Sequence, residues 1–354
     1  MTPASERPAL RLIVPDQAEV SGGGVVNARL AEALTARGWT VDVHPIAGSW
    51  PKPRAAHRAA VATALSAGSD PVLIDGLVGS ACPEQIEAAV AAGVRVVVFV
   101  HLPLPAERGR GRAEEFRLAQ LERRALHAAT AIVVPSYWAR ADLHQRYGLT
   151  AHVLTPGADP APVAVGSDPP QLLMLAALTP TKNHLTAMVA LKALGDLSWR
   201  ATFVGAHRDT KTLSDIHLRR TPPISDRLTL PGELTGAALE QVWRATDLLL
   251  VPSWTETYGL VVAEALAHGI PAIVSRGTGA AEALAGVTNL EDRDLPGALA
   301  HPGNPGEWAD VIRGWLESRV RRDGWRQAAL ARRDSLRTWA DTAADLERLL
   351  EELR

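Results

Sequence analysis

The sequence predicts an α/β protein of two doubly wound domains, each a parallel sheet covered by helices on both faces. Three observations carry this expectation. Strand-like runs alternate with helical patterns along the chain. The strand runs are apolar almost throughout, as parallel strands buried on both faces must be. The alternation also pauses once, at a patternless Pro/Gly-rich stretch, and then restarts.

In the first half the strand-like runs are LRLIVP (10–15), WTVDVHPI (39–46), PVLIDGL (71–77), RVVVFVHLP (95–103) and TAIVVPS (130–136). Between them VVNARLAEALTARG (25–38), RAAHRAAVATALSAG (54–68) and EQIEAAVAAG (84–93) read as helices. Each of these ends on a glycine, which can take the left-handed conformation that closes a helix. PGADPAPVAVGSDPP (156–170) is the pause. Strands resume at QLLMLAAL (171–178), WRATFVG (199–205), RLTLPG (227–232), DLLLVPS (247–253) and IPAIVS (270–275). The expected layout is a first domain over 1–160, a linker over 161–170, a second domain over 171–340 and a C-terminal helix over 341–354, with Trp308, Trp315 and Trp339 as packing anchors. Two such domains would place a cleft between the carboxyl ends of their sheets, where these folds bind ligands.

Composition excludes several classes. Across 354 residues the net charge is −2, without the basic excess of a nucleic-acid partner. The single cysteine, Cys82, allows no disulfide framework and no CxxC pair, which fits a reducing, cytoplasmic setting. The start, MTPASERPALRLIVP, lacks the apolar core of a signal peptide. Runs such as VVVFV (96–100) are strand-sized, so no integral membrane association is expected.

After the first strand, SGGG (21–24) opens a helix, and Gly23 and Gly24 would let a phosphate or sugar approach the backbone at a helix N-terminus. Asp42 lies 20 residues after Gly22, the spacing of a ribose acid in dinucleotide sites. The next fingerprint glycine is missing, however, and Asp42 sits within its strand pattern rather than at its end.

The stretch WTETYGLVVAEALAHGIPA (254–272) poses a sharper question. Glu264 lies in a helix that is apolar all round, and such a helix is normally buried. A buried carboxylate without a partner costs several kcal/mol or gives up its charge. Glu264 therefore either pairs with an arginine elsewhere in the chain, or points out at a helix edge, or finds its partner in a ligand with hydroxyl groups to donate.

Glu256 precedes Glu264 with seven residues between them, and Tyr258-Gly259-Leu260 follows the first glutamate. This pattern resembles the E-x7-E motif of retaining GT-B glycosyltransferases, family 4 in particular. SGGGVVNARLAEALTARGWTV is similar to the opening of that family, TPGAD (155–159) to the end of its first domain, and LTPTKNHLTAMVALKAL (178–194) to its phosphate-binding segment. PSWTETYGLVVAEALAHGIPAIVSRGTGAAEAL (252–284) is similar to its donor site and GALAHPGNPGEWADVI (297–312) to the segment that follows. The resemblance covers nearly the whole chain.

It implies a GT-B fold and retaining, metal-independent transfer of a sugar from a nucleotide-diphosphate sugar, UDP-sugar favoured over GDP-sugar, to an acceptor hydroxyl. It also implies site residues. Glu264 would accept from the ribose hydroxyls, and Tyr258, Gly259 and Leu260 would offer N–H groups to the diphosphate. Glu256 and His101 would contact the transferred sugar, with His101 ending an apolar strand. Lys182 would hold the phosphates, and Gly232-Glu233-Leu234 would hold the base. One departure stands out. Where the family places an arginine five residues before the lysine, this chain has Ala177. Arg208, after ATFVG, is the expected substitute, and Arg276, after IPAIVS, the second choice.

Other features invite weaker readings. Gly279-Ala280-Ala281-Glu282 is similar to a second glycine-rich turn of the family, with Glu282 as apt to cap structure as to touch ligand. Asp292-Arg293-Asp294 spells a DxD, in a charged segment with no further metal signal. ERGRGRAEEFRLAQLERRAL (107–126) is arginine-rich, but glutamates interleave, which reads as a solvated face or an acceptor-side anion site before a membrane surface. Two rivals share the architecture: a nucleotide-sugar epimerase and a non-catalytic nucleotide-sugar binder, the latter favoured by Ala177.

Overall fold

The computed structural model describes residues 8–16, 21–68, 70–286 and 295–353. The chain forms two units, Met1–Gly157 with Arg337–Arg354, and Ala158–Leu336.

The first unit is built on strands β1 (Ala9–Pro15), β2 (Thr40–Ile46), β3 (Val72–Asp75), β4 (Val96–Phe99), β5 (Ala131–Val134) and β6 (His152–Val153). They form one parallel sheet in the order β2-β1-β3-β4-β5-β6. Its helices are α1 (Gly22–Ala36), α2 (Ala55–Ser66), α3 (Gly76–Gly79), α4 (Pro83–Ala91), α5 (Arg112–Ala128) and α6 (Tyr137–Tyr147). The apolar strands do what their composition requires: all four residues of β3, β4 and β5 are buried, in a core with Val61, Leu65 and Ile86.

The second unit has β7 (Gln171–Leu175), β8 (Arg200–Val204), β9 (Leu228–Gly232), β10 (Leu248–Val251), β11 (Ala272–Ser275) and β12 (Gly297–Ala300). Their parallel order is β12-β11-β10-β7-β8-β9. Helices α7 (His184–Lys192), α8 (Thr210–Arg219), α9 (Gly236–Ala245), α10 (Leu260–Ala267), α11 (Gly279–Ala285), α12 (Pro305–Glu317) and α13 (Arg319–Arg333) cover both faces. One core layer holds Trp199, Trp308 and Trp315, and the other holds Trp243 and the apolar residues of α10. In each sheet the strand order reverses once, between β1 and β3 and between β7 and β10. At such a switch point the loops part at the carboxyl edge and leave a crevice.

The alternation expected from the sequence is present, with differences. PVLIDGL leaves the sheet at Asp75 and turns into α3, because the Asp75 side chain accepts the Leu77 N–H at 2.8 Å. Gly76 also has the Phe99 carbonyl 2.8 Å from where a Cβ would be. Strands β6 and β12 are short edge strands that no apolar run announces. Gly38 and Gly93 close α1 and α4 in the left-handed region, whereas α2 stops at Ala67. Helix α14 (Trp339–Glu352) belongs to the first unit, where Glu347 accepts from Trp39 Nε1 at 2.6 Å and pairs with Arg37. The Pro/Gly-rich stretch 161–170 is fastened to the second unit: Asp247 accepts from the Ser167 and Gln171 N–H groups at 3.0 and 2.8 Å. Among the described residues no helix is long and apolar enough to cross a membrane.

Candidate functional site

In the second unit the functional side chains lie on loops at the carboxyl ends of β7 to β11. A short turn, Pro180–Lys182, follows β7 and delivers Lys182. Its end is fixed by Asn183, in the left-handed region at φ 58°. Asn183 holds that strained conformation because its amide donates to the Pro252 and Pro302 carbonyls at 2.9 and 2.8 Å, while Thr186 donates to its oxygen. The Trp254 N–H donates to the Thr181 carbonyl at 2.8 Å, which ties the turn to the loop after β10. The result is an ion pair across the switch point. Lys182 Nζ lies 2.6 Å from Glu256 Oε1, which also accepts from Ser253 Oγ at 2.7 Å. Neither Asn183 nor Ser253 stood out in the sequence; Asn183 follows the lysine directly, and its signal was only the tolerance of asparagine for positive φ.

Gly259 caps α10 with φ 86° and has Ala280 within 3.3 Å of a would-be Cβ. The Gly279 N–H donates to the Glu256 carbonyl at 2.7 Å, and a Cβ on Gly279 would meet the Thr257 carbonyl at 2.1 Å. Glycine at both positions lets these loops touch. Tyr258 is buried beneath them and Leu260 opens the helix.

Glu264 lies in the second turn of α10, half-buried. Among the described residues its carboxylate has no hydrogen-bond or ion-pair partner, so the arginine-pair alternative is not realised. Burial pushes its carboxyl up to about 7, and the charge of Asp159 adds to the rise.

Ala177 follows β7, and its loop runs along the loop after β8. The Leu178 N–H donates to the Ala206 carbonyl at 2.8 Å, and the Asp209 N–H to the Leu178 carbonyl at 3.1 Å. Exposed Arg208 is therefore held beside the segment that lacks the family arginine. Arg276 is engaged elsewhere, 3.1 Å from Glu307. Gly232, at the end of β9, accepts the Gly205 N–H at 2.9 Å, and Leu234 packs on the α10 layer.

In the first unit, His101 leaves β4 beside the switch point between β1 and β3. Its ring packs against that of Phe99, tilted by 38° with centroids 4.0 Å apart. Gly23 lies against it, since a Cβ there would sit 3.0 Å from the ring. Gly24 donates its N–H to Ser21, the cap of α1. Burial lowers the imidazole pKa, opposed by the charge of Asp75. Asn27 and Asp75, both buried and both missed in the sequence, complete this group. Asp42 is exposed and bonded to His44, far from such a role.

The remaining features play other parts. Arg124 of the arginine-rich segment pairs with Glu84 and Glu87, while Glu122 turns inward to accept from Tyr147 and Leu104 at 2.7 and 3.0 Å. Burial raises the Cys82 thiol to about 12, too high for a nucleophile at neutral pH. Asp292-Arg293-Asp294 lies outside the described residues. Among the described residues no three His, Cys, Asp or Glu side chains cluster to hold a metal ion.

Two family models match: Glycosyl transferases group 1 over residues 158–332 and Glycosyltransferase Family 4 over residues 76–161. The chain is similar to the group 1 glycosyltransferases over these segments. It is 34% identical over 162 residues to D-inositol 3-phosphate glycosyltransferase of Xylanimonas cellulosilytica, a match covering 46% of this chain and 35% of that protein. The Mycolicibacterium smegmatis protein of the same name is 29% identical over 169 residues, covering 47% and 37%. The matches thus span about a third of the length of these curated relatives. The fold is GT-B. Sucrose-phosphate synthase from Thermosynechococcus elongatus superposes with a TM-score of 0.81 at 19% identity, over 98% of this chain and 99% of that one. Anabaena HepE, solved in complex with UDP-glucose, gives 0.76 at 16% identity, over 97% and 99%.

Proposed function

We propose that this chain is a group 1 glycosyltransferase that transfers a sugar from a nucleotide-diphosphate sugar to an acceptor hydroxyl, with retention and without a metal ion. The observation that carries the reading is Glu264: a half-buried carboxylate without a protein partner, in the helix that Gly259 opens and one loop away from the Lys182–Glu256 pair. A ribose with two vicinal hydroxyls would supply the missing donors and make the charged form stable. The N–H groups at the start of α10 and the Lys182 ammonium would then receive the diphosphate. UDP is the favoured nucleotide, in keeping with the UDP-glucose bound by HepE.

The chemistry follows from these groups. The bond between the anomeric carbon and the diphosphate breaks, and a bond to the acceptor oxygen forms on the same face. The acceptor's proton passes to the departing phosphate oxygen. Lys182 and the helix amides stabilise the charge on the leaving group, while Glu256 and His101 hold the sugar.

Ala177 favours one rival, a non-catalytic nucleotide-sugar binder with too little positive charge for a leaving group. Incubation with a panel of nucleotide sugars separates the readings. Release of free nucleotide that accelerates with an acceptor supports transfer. Tight binding with no release supports the binder, and an epimerised donor without acceptor supports the isomerase.

A further inference from the structure

One side chain in the second unit joins three loops at the carboxyl edge of the sheet, and the transfer scheme does not use it. Asn183 is 9% exposed and, among the described residues, is the one non-glycine with a left-handed φ. Its amide is fully engaged. Nδ2 donates both hydrogens, to the Pro252 carbonyl at 2.9 Å and the Pro302 carbonyl at 2.8 Å, while Oδ1 accepts from Thr186 Oγ1 at 3.0 Å. The loops after β7, β10 and β12 thus hang on a single buried amide. Glycine would take this backbone conformation without strain, so the turn alone does not call for asparagine. What asparagine adds is the pair of donors.

These contacts close a ring. Lys182 and Asn183 are neighbours on one loop, and Pro252, Ser253 and Glu256 lie on another. The Asn183 amide grips Pro252, Ser253 Oγ donates to Glu256 Oε1 at 2.7 Å, and Glu256 returns to Lys182 at 2.6 Å. The helix side of the turn is anchored as well, because His184 is fully buried with its ring edge-on to Phe203. A lysine has a flexible four-carbon stem, so the reach of its ammonium is set by where its main chain is held.

We infer that Asn183 is a positioning residue that sets the register of Lys182 against Glu256 by binding the Pro252 and Pro302 carbonyls. Its consequence for transfer rests on Lys182 being the lysine that meets the diphosphate; the register itself does not.

Competitive acetylation of the full chain, read peptide by peptide in a mass spectrometer, tests the register directly, with Lys211, whose side chain is 82% exposed, as the internal reference. An amine held on a carboxylate stays protonated and reacts slowly. Asn183→Gly leaves the turn free to adopt positive φ but removes both donors, and it should raise the Lys182 rate relative to Lys211 by about threefold or more. Thr186→Val removes only the hydroxyl that the Asn183 oxygen accepts; it should act in the same direction and decides the matter if the glycine variant does not fold. In nucleotide release from UDP-glucose, Asn183→Gly should lose about tenfold. The double variant with Lys182→Ala should be no slower than Lys182→Ala alone, because the asparagine acts through the lysine. Unchanged Lys182 labelling in both variants would overturn the inference, as would rate losses that add in the double variant, since Asn183 would then hold the fold rather than the lysine. Raised labelling in a protein that releases no nucleotide would uphold the register and remove the sugar-transfer reading alone.

Discussion

Replacing Glu264 by Gln keeps the shape of the side chain and removes its charge. Burial disfavours the ionised form of Glu264 and pushes its carboxyl up to about 7 from an ordinary value of 4.5. The folded state therefore holds the proton more tightly than the unfolded chain. The associated stability is fully present below pH 4.5, falls as pH rises toward 7, and is flat above that. At about 1.4 kcal/mol per pH unit, the ionised wild type is destabilised by about 3 kcal/mol at pH 8. Glu264→Gln escapes this. It should melt close to wild type at pH 4.5 and higher at pH 8, by roughly 5–10 °C for a unit of this size. Nucleotide binding should move the opposite way. Ribose hydroxyls donating to a carboxylate are worth about 1.5–3 kcal/mol, so UDP affinity should fall by about tenfold to a hundredfold in the variant. Wild-type affinity should also rise with pH toward 7, since binding needs the ionised form, and the variant should lack that dependence. Thermal melts from pH 4.5 to 8, with calorimetric UDP titrations at each pH, read both effects. A variant less stable than wild type at pH 8, or a stability difference that ignores pH, would refute the reasoning and give Glu264 a partner within the protein. UDP affinity unchanged in the variant would refute the ribose assignment.

Three more outcomes are expected. If both hold the sugar as proposed, His101→Ala and Glu256→Ala should each lower turnover by about a hundredfold while UDP binding changes only a few fold; parallel losses of rate and UDP affinity would place them on the nucleotide. Lys182→Ala should lower the rate at least about a hundredfold, roughly 2.7 kcal/mol in the barrier, and Arg208→Ala should match it if Arg208 replaces the family arginine; single-turnover rates decide, and an unaffected Arg208→Ala returns that residue to the surface. Gly279→Ala should lower stability and UDP affinity together, because its methyl group displaces the Thr257 carbonyl and with it the Glu256 loop; a melt and titration equal to wild type would show that the loops need not touch.

How much of this was legible depended on whether a feature is local. Parallel strands such as β3, β4 and β10 are apolar runs bounded by turns, and the two-unit organisation follows from their spacing. Edge strands β6 and β12 were not legible. One has two residues and the other reads GALA, so their pairing is set by the neighbouring strand rather than by their own composition. The same holds in the site. Glu264 announced itself because a carboxylate in an apolar helix conflicts with its surroundings, and Lys182 and Glu256 by their motifs. Asn27 looks like an ordinary polar residue on α1, and Asp75 like the end of a strand. Their roles arise from tertiary contacts 48 and 74 positions apart in sequence, which no local pattern encodes.

The Lys182–Glu256 pair sharpens the question raised by Ala177. At 2.6 Å the ammonium is already neutralised by a carboxylate, and the carboxylate is satisfied further by Ser253. A diphosphate arriving at the start of α10 must then either share the lysine with Glu256 or displace it. Displacement would free Glu256 to accept from sugar hydroxyls, so one exchange would charge the phosphate side and open the sugar side together. This coupling works only if the donor carries both groups, which gives an intact nucleotide sugar an advantage over free nucleotide beyond its added contacts. It also sets a limit. A lysine borrowed from an ion pair is a weaker electrostatic resource than an arginine held for the purpose, because its partner must be resolvated or re-paired first. The backbone ladder that carries Leu178 to Ala206 and Asp209 to Leu178 is what brings Arg208 beside the depleted loop. The charge missing at position 177 thus has a candidate source in Arg208, on the adjacent strand's loop.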